Sequence, residues 1–456
     1  MISLIFITFF ILFFTLNGRI DSFLLSKVLI FWLIFYKVIA GTLISIGLPL
    51  GIVKPFIYFK DVIFVSIFLK VFLYKKKGRL HDNIDKIMIL FLVITIAYLF
   101  VNNIPIALKL RAARPTLYLI TTYFSGRYIF EANREGLKSF MKFYIILVII
   151  LSLWSLITCY IIGYDNFFSN AKYLYSYGKI ADIGGENYYD NVFYTVKSIS
   201  YSLNKYRLRD FNNQFLVIGN MLCIAIVLLA SFLISKERLF KKNDKKIYLF
   251  LLITLLLSIS RAATAFTLLF VVWAFRKDIA SMLLIIIVGV IVLIYFADII
   301  VPLYHRYYEH IFVNTWDMGY GHTGAWLRFI YELINYPMGH GFGYAGEFVK
   351  AQQLNVGGHS ALMMQGTILS NTGILGLTVF TILHINIILL GFKIKKVDPA
   401  YGLILIGLSS TYYGIGLTKP GTFGWYYTLM VYFTIGIIIN MYYKSLREEN
   451  NGKVLV

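Results

Sequence analysis

The chain has 456 residues, 59% of them hydrophobic and only 14% charged, with a mean hydropathy of +0.74. A soluble domain is nearer half apolar and a quarter charged, so a soluble enzyme, a nucleic-acid binder and a disordered scaffold fit poorly. The net charge of +21 would ordinarily suggest an acidic partner, but 23 of the 43 Lys and Arg fall in six short stretches between apolar segments. Such clusters mark the cytoplasmic ends of membrane helices, so the surplus is mostly topology.

Hydropathy predicts an all-α, polytopic membrane protein, with helices near 2–16, 28–50, 56–73, 87–104, 115–130, 143–162, 214–234, 247–260, 262–275, 281–301, 360–391, 400–417 and 425–443. Thirteen crossings place the N-terminus outside; merging one gives twelve with both ends inside, the preferred count. Residues 1–16 carry no basic leader and no small-residue cleavage site, so an anchor helix is expected there rather than a signal peptide. The two cysteines, Cys159 and Cys223, fall inside apolar segments, and no disulfide framework or thiolate metal site is indicated. No fixed-period repeat and no linker divides the chain, so residues 1–456 read as a single membrane domain.

Two long polar stretches interrupt the pattern, and counting outward from the basic clusters puts both on the non-cytoplasmic side. Residues 163–213 are rich in Tyr, Asn and Asp, a composition that suits a glycan as well as a plain solvated loop. Residues 302–359 hold five of the seven histidines. Within the second stretch, Trp326, Ile330, Leu333 and Ile334 recur at helical spacing while Arg328, Glu332 and Asn335 occupy another sector. That is an amphipathic helix expected at the membrane interface. Pro337 ends it, and Gly339-His340-Gly341-Phe342-Gly343 follows as a flexible turn without the Lys-Ser/Thr ending of a phosphate-binding loop.

Arg261 stands alone in 29 otherwise charge-free residues, 247–275, with basic clusters on both flanks. Two cytoplasmic flanks require an even number of crossings, so the chain must fold back near Arg261. Each arm is then about 21 Å of helix against a core near 30 Å, which sets Arg261 below the outer surface. An ionisable group there is either a functional cation or a paired one in a tilted helix. Arg328 suits bidentate capture of a phosphate, although Glu332 one turn on would equally explain it as an ion pair. Arg207, Arg209, Arg111 and Arg114 are expected just before helices, at similar membrane-edge positions. His359 follows two glycines at the start of an apolar helix, where it can accept a proton near neutral pH or cap backbone. No histidine pair has metal-ligand spacing, and no metal or other cofactor is expected.

The order of these features resembles the O-antigen polymerase and O-antigen ligase superfamily of bacterial envelope glycosyltransferases. The match rests on Ser260-Arg261, on Arg328 and Gly339 with ten residues between them, on "NYPMGHGFG" and on "HSALMMQGTILSNTGILGL", covering about 255–380. "YRLRDFNNQF" (206–215) looks like a weaker upstream block. Ala262 stands where the family usually has Gly, Asn213-Gln214 replaces Pro-Asn, and His359 to Gly373 is longer than usual by roughly a helical turn.

The resemblance implies a GT-C-like fold in the bacterial inner membrane with its site facing the periplasm. It also implies metal-independent, inverting transfer from an undecaprenyl-pyrophosphate-linked oligosaccharide. Arg261 and Arg328 would stabilise the leaving pyrophosphate and His359 would take the acceptor proton, with Arg207, Arg209, Arg111, Arg114, Glu332, Gly339 and His340 contacting substrate. Membrane lipid is a partner on this reading, nucleic acid is not, and a chain-length regulator stays open. The two large loops and the altered spacing favour a polymerase over a ligase that transfers to lipid A-core. A lipid-linked oligosaccharide flippase is the alternative of another class; internal repeats would mark it, and none is visible.

Overall fold

The computed structural model describes residues 9–10, 13, 21–45, 48, 50–73, 82–129, 132–162, 215–258, 260–276, 322–344, 363–417 and 425–453. Among the described residues the chain is helical throughout, with no strand. The helices are α1 Ser22–Ser45, α2 Leu50–Leu73, α3 Asn83–Tyr98, α4 Ile106–Arg127, α5 Arg134–Leu156 (prolonged by a π turn, Ile157–Ile162), α6 Phe215–Ile234 and α7 Asp244–Leu257. They continue with α8 Arg261–Phe275, α9 His322–Asn335, α10 Met364–Ile394, α11 Pro399–Gly416 and α12 Trp425–Lys453. Three stretches, Arg134–Ile162, Met364–Ile394 and Tyr427–Glu448, are long and apolar enough to cross a membrane; Ser22–Phe35, Ile218–Ile234 and Ala262–Phe275 are apolar but shorter.

The starts follow ordinary capping rules. Asp82, Asn133 and Asp398 accept backbone N–H bonds in the first turns of α3, α5 and α11, at 3.4, 2.6 and 3.2 Å. Pro399 then occupies the first turn of α11, where its missing N–H costs nothing.

A broad core of buried Leu, Ile, Phe and Tyr side chains is joined by close backbone approach at one crossing. α4 crosses α12 where Gly126 lies on the backbone of Phe433 and Gly436 lies on Tyr123 and Arg127; a Cβ at either glycine would overlap main chain. This is the small-residue packing by which helices associate without a hydrophobic driving force in lipid. Beside that crossing, Arg127 Nε meets the fully buried carboxylate of Asp85 at 3.2 Å, and the Tyr123 hydroxyl donates to the same oxygen at 2.7 Å.

These contacts define two ends. At the first, Asp85 opens α3 beside the last residue of α4. There too, Arg134 at the start of α5 bonds Glu237 after α6 (2.5 Å) and lies 3.4 Å from Asp398 before α11. The rings of Tyr248 and Phe275 bring the start of α7 to the end of α8 at 6.0 Å. At the second end, Gly219 near the start of α6 packs on Ser260 and Ala263, and Gly416 at the end of α11 packs on Met364 at the start of α10.

The chain therefore reverses at 258–260, and α7 and α8 form a hairpin whose tip lies at the second end. Gly219 is four residues from the start of α6, so the tip sits about 6 Å below it. The described residues on either side of 163–213, Ile162 and Phe215, also lie at this end. So do Tyr344 and Met363, which bracket 345–362. The basic cluster 236–246, Arg276 and the basic cluster 393–396 flank the first end.

Several boundaries differ from expectation. α4 begins at Ile106, not near 115, so Arg111 and Arg114 sit within the helix rather than ahead of it. The physical reason is tertiary: Arg114 Nη2 bonds Asp61 of α2 at 2.7 Å, which lets a basic turn join an apolar bundle. The expected helix 281–301 and most of 2–16 lie outside the described residues. Cysteines replacing Asn103 and Met338 should react with a membrane-impermeant maleimide from one face, and cysteines replacing Lys242 and Lys396 only from the other. Reaction of all four from one face would overturn this two-ended arrangement.

Candidate functional site

The second end carries a break in a long buried helix. α10 is broken at Gly373, whose φ of 65° and ψ of −172° lie in a region essentially reserved for glycine. A break at this residue frees one donor and one acceptor that would normally bond each other, Ile374 N–H and Ser370 C=O. Both are taken by the segment after α9. Ile374 donates to Pro337 O at 2.7 Å, and His340 N–H donates to Ser370 O at 2.7 Å. Residues 337–340 are thus spliced into the hydrogen-bond ladder of another helix.

The glycines permit this approach. Gly339, Gly341 and Gly343 all have positive φ. A Cβ on Gly339 would sit 2.5 Å from Gly373 N, and one on Gly373 would sit 2.6 Å from Met338 O. On the other side the turn is gripped by the α3–α4 corner. Asn102 Nδ2 donates to the carbonyls of His340 (2.8 Å) and Phe342 (3.0 Å), and Phe342 is fully buried against Tyr98, Leu99, Ala112 and Ala113. Lys109, itself buried, donates to Leu99 O at 2.9 Å and to Asn102 O, so one ammonium caps the end of α3 and fixes the residue that holds the turn. The expectation of a flexible turn is corrected on these bonds. Its glycines serve close approach, not freedom.

His340 lies between two aromatic rings, Tyr344 stacked at 4.0 Å and Tyr336 tilted at 4.5 Å, and its Nε2 meets Glu332 Oε2 at 2.8 Å. The Tyr331 phenol, ahead of burial, raises the Tyr336 hydroxyl above its ordinary value, so Tyr336 stays a neutral donor. Glu332 is 6% exposed. A carboxylate that buried, with its oxygen on His340, orients the histidine. A pair of this kind holds the ring so that the remaining nitrogen can accept or donate a proton.

α9 presents its polarity inside out. Glu332 is buried while Trp326, Ile330, Tyr331 and Ile334 are exposed, Ile334 at 71%. A helix with its carboxylate inward and its apolar stripe outward suits a membrane interface, as the sequence predicts.

Of the remaining expected site residues, the backbone of Arg261 opens α8 at the hairpin tip and that of Arg328 lies in the second turn of α9. Gly339 and His340 are brought together with Glu332. Arg114 is committed to Asp61 and Arg111 is exposed on the same helix. His359, Arg207 and Arg209 lie outside the described residues. The residues that sequence reading missed are Asn102, Lys109, Tyr336, Tyr344 and the break at Gly373. The only advance sign was a basic residue, Lys109, close to an Asn-Asn corner.

A band of polar side chains is also buried in the first half of α10, Gln365, Ser370, Asn371 and Thr372, with Asn220 on α6. The side-chain oxygens of Gln365, Asn371 and Asn220 have no hydrogen-bond partner among the described residues. Buried amides of this kind call for a partner, and water or a hydroxyl-rich ligand supplies one. Among the described residues, no three His, Cys, Asp or Glu side chains converge as metal ligands would. No known family model matches the chain, and no curated protein matches it.

Gly373→Ala should destabilise the protein by about 1–3 kcal/mol from backbone strain alone, before the clash with Met338. It is read as a lower thermal midpoint in detergent. An unchanged midpoint would mean that α10 is not broken there. Glu332→Gln should keep the fold, since an amide can still bond His340, whereas Glu332→Leu should release the turn and expose it to protease.

Proposed function

We propose that this chain is a polytopic membrane glycosyltransferase, with about twelve crossings and a GT-C-like arrangement, acting at the outer face of a bacterial inner membrane. Its reaction is polymerisation of surface-polysaccharide repeat units carried on undecaprenyl pyrophosphate. The observation that carries this reading is the spliced turn at 337–340, which ties the helix bearing Arg328 to the helix that follows His359. Arg328 lies seven residues before the end of α9, about 10 Å from the turn. His359 precedes Met363 by four residues, a tether of about 14 Å at most. The backbone of Arg328 is thereby tied to the end of the bundle that also carries the tip at Arg261, and His359 is proposed to act there with them.

The chemistry follows from the groups. An acceptor sugar hydroxyl attacks the anomeric carbon of the lipid-linked glycan from the face opposite the leaving group, forming one C–O bond as the glycosyl–phosphate bond breaks, with inversion. The hydroxyl proton passes to His359. The departing lipid pyrophosphate gathers negative charge, which fixed guanidinium groups at Arg261 and Arg328 stabilise without a metal ion. The phosphoanhydride-activated carrier supplies the driving force. Tyr336, Tyr344 and the Glu332–His340 pair form an aromatic and hydrogen-bonding wall suited to a sugar face, and Arg207, Arg209 and Arg111 are further candidates for the anionic carrier.

Purified protein incubated with lipid-linked repeat units alone should produce a ladder of lipid-linked oligomers. Arg261→Ala and Arg328→Ala should each lower the rate about 10²–10³-fold, and His359→Ala about 10²–10⁴-fold, with the thermal midpoint unchanged. Product that forms only when lipid A-core is added would make the chain a ligase. Translocation of the carrier without any glycosidic bond formed would make it a transporter.

A further inference from the structure

The second end leaves one polar atom of a tightly held side chain open. His340 is fixed at its other polar atoms. Its N–H donates to Ser370 O at 2.7 Å, its carbonyl accepts from Asn102 at 2.8 Å, and its Nε2 meets Glu332 Oε2 at 2.8 Å. Tyr344 and Tyr336 lie against the ring, with centroids at 4.0 and 4.5 Å. What remains is Nδ1, which has no partner among the described residues, on a side chain still 15% exposed. A ring held on all sides with a single open nitrogen is preorganised for one hydrogen bond.

Glu332 limits what that bond can be. A buried carboxylate calls for a proton donor, so in the neutral ring Nε2 carries the hydrogen and Nδ1 is an acceptor. In the imidazolium, Nδ1 is a donor. A hydroxyl serves both states, because it donates to the first and accepts from the second. A carboxylate or phosphate serves only the second. It would also bring its charge toward that of Glu332, which burial leaves poorly screened. Arg328 stands one turn ahead of Glu332 and Glu347 three residues past Tyr344 in sequence. Lys109, at the α3–α4 corner, is committed to the carbonyls of Leu99 and Asn102.

The rings beside the nitrogen match the rest of a sugar's surface. Tyr336 is 45% exposed, and Tyr331, 6.2 Å from it, is exposed as well. A pyranose has an apolar C–H face and a rim of hydroxyls. Its face can lie on an exposed tyrosine ring while a rim hydroxyl reaches an adjacent nitrogen. Tyrosines that serve only as an interfacial belt have no use for a fixed nitrogen beside them.

We propose that His340 and Tyr336 form a subsite for one neutral pyranose of the glycan, with a hydroxyl on Nδ1 and the C–H face on the Tyr336 ring. Glu332 is its positioning residue. The subsite rests on the glycosyltransferase reading for the presence of a glycan at this end, and adds that the sugar held here is hydroxyl-bearing and uncharged.

The full-length protein in detergent is titrated with methyl glucoside, methyl galactoside, methyl N-acetylglucosaminide and methyl glucuronide, and contact is read by saturation-transfer NMR. One of the three neutral glycosides should bind about fivefold or more tightly than the glucuronide, with saturation strongest on its C–H face. His340→Ala and Tyr336→Leu should each weaken it about fivefold. Tyr336→Phe keeps the ring and should stay within about twofold. So should His340→Gln, whose amide can donate to Glu332 and still present an oxygen. If His340→Ala lowers the thermal midpoint, the two variants of the exposed Tyr336 decide the outcome.

No binding of any neutral glycoside would overturn the subsite, as would binding that survives both His340→Ala and Tyr336→Leu. Equal or tighter binding of the glucuronide would do the same, because the cations would then be reading the ligand. Glycoside binding with these variant effects, but no lipid-linked oligomers from the unaltered protein, would keep the subsite and remove the polymerase reading. Oligomers formed at full rate by His340→Ala would keep that reading and remove the subsite.

Discussion

The exchange of two backbone hydrogen bonds at Gly373 governs the rest of the second end. A helix broken inside a packed bundle leaves a donor and an acceptor without partners, and each unsatisfied buried group costs about 1–3 kcal/mol. Pro337 O and His340 N–H fill the two vacancies, so undocking this segment would expose two costs at once. The docking is therefore as obligatory as a helix's own ladder. Everything attached to the segment inherits its rigidity: α9 on one side, the Glu332–His340 pair within it, and Phe342 pinned under the α3–α4 corner.

The corner is held by an economy of groups. One lysine side chain caps the carbonyls that end α3, and one asparagine carries that corner over to the turn. A buried ammonium is expensive, and here carbonyls of a helix C-terminus, where the macrodipole is negative, offset the cost. Replacing Lys109 by an apolar residue would remove the charge but leave the Leu99 and Asn102 carbonyls without this donor. That asymmetry explains why a cation can be retained at a position where hydropathy alone would favour leucine.

How much of this was legible in the sequence depended on whether the signal was local. The α7–α8 hairpin was legible because two 14-residue apolar arms between basic flanks favour a reversal over a single tilted helix, and the described contacts bring the start of α7 to the end of α8. The amphipathic period of 322–335 was legible for the same reason. The early start of α4 was not, because Lys109, Arg111 and Arg114 lower its hydropathy, and what compensates them lies on other helices, at Leu99, Asn102 and Asp61. The break at Gly373 was hidden as well. A glycine in an apolar run reads as a tolerated helical residue, and only the approach of Met338 requires its positive φ. Glu332 read as one member of an i,i+4 pair with Arg328; its bond to His340 depends on the chain turning back through Pro337 and the left-handed Gly339.

The inverted helix α9 links the height of the bundle in the membrane to the placement of the candidate site. Its outward stripe, Trp326, Ile330 and Ile334, gains free energy only where apolar surface meets lipid, about 1.5–3 kcal/mol for each large side chain fully covered. Its inward carboxylate is stable only while His340 stays docked on α10. On the proposed reading the two requirements act on the same element: lipid sets the depth of α9 and the spliced turn sets its position along the bundle. On the same reading, α9 carries Arg328 at the height where lipid headgroups lie. A soluble loop bearing the same arginine would have to find that height anew with each substrate. On that reading, anchoring one helix to both the membrane surface and the interior of a broken helix removes that search.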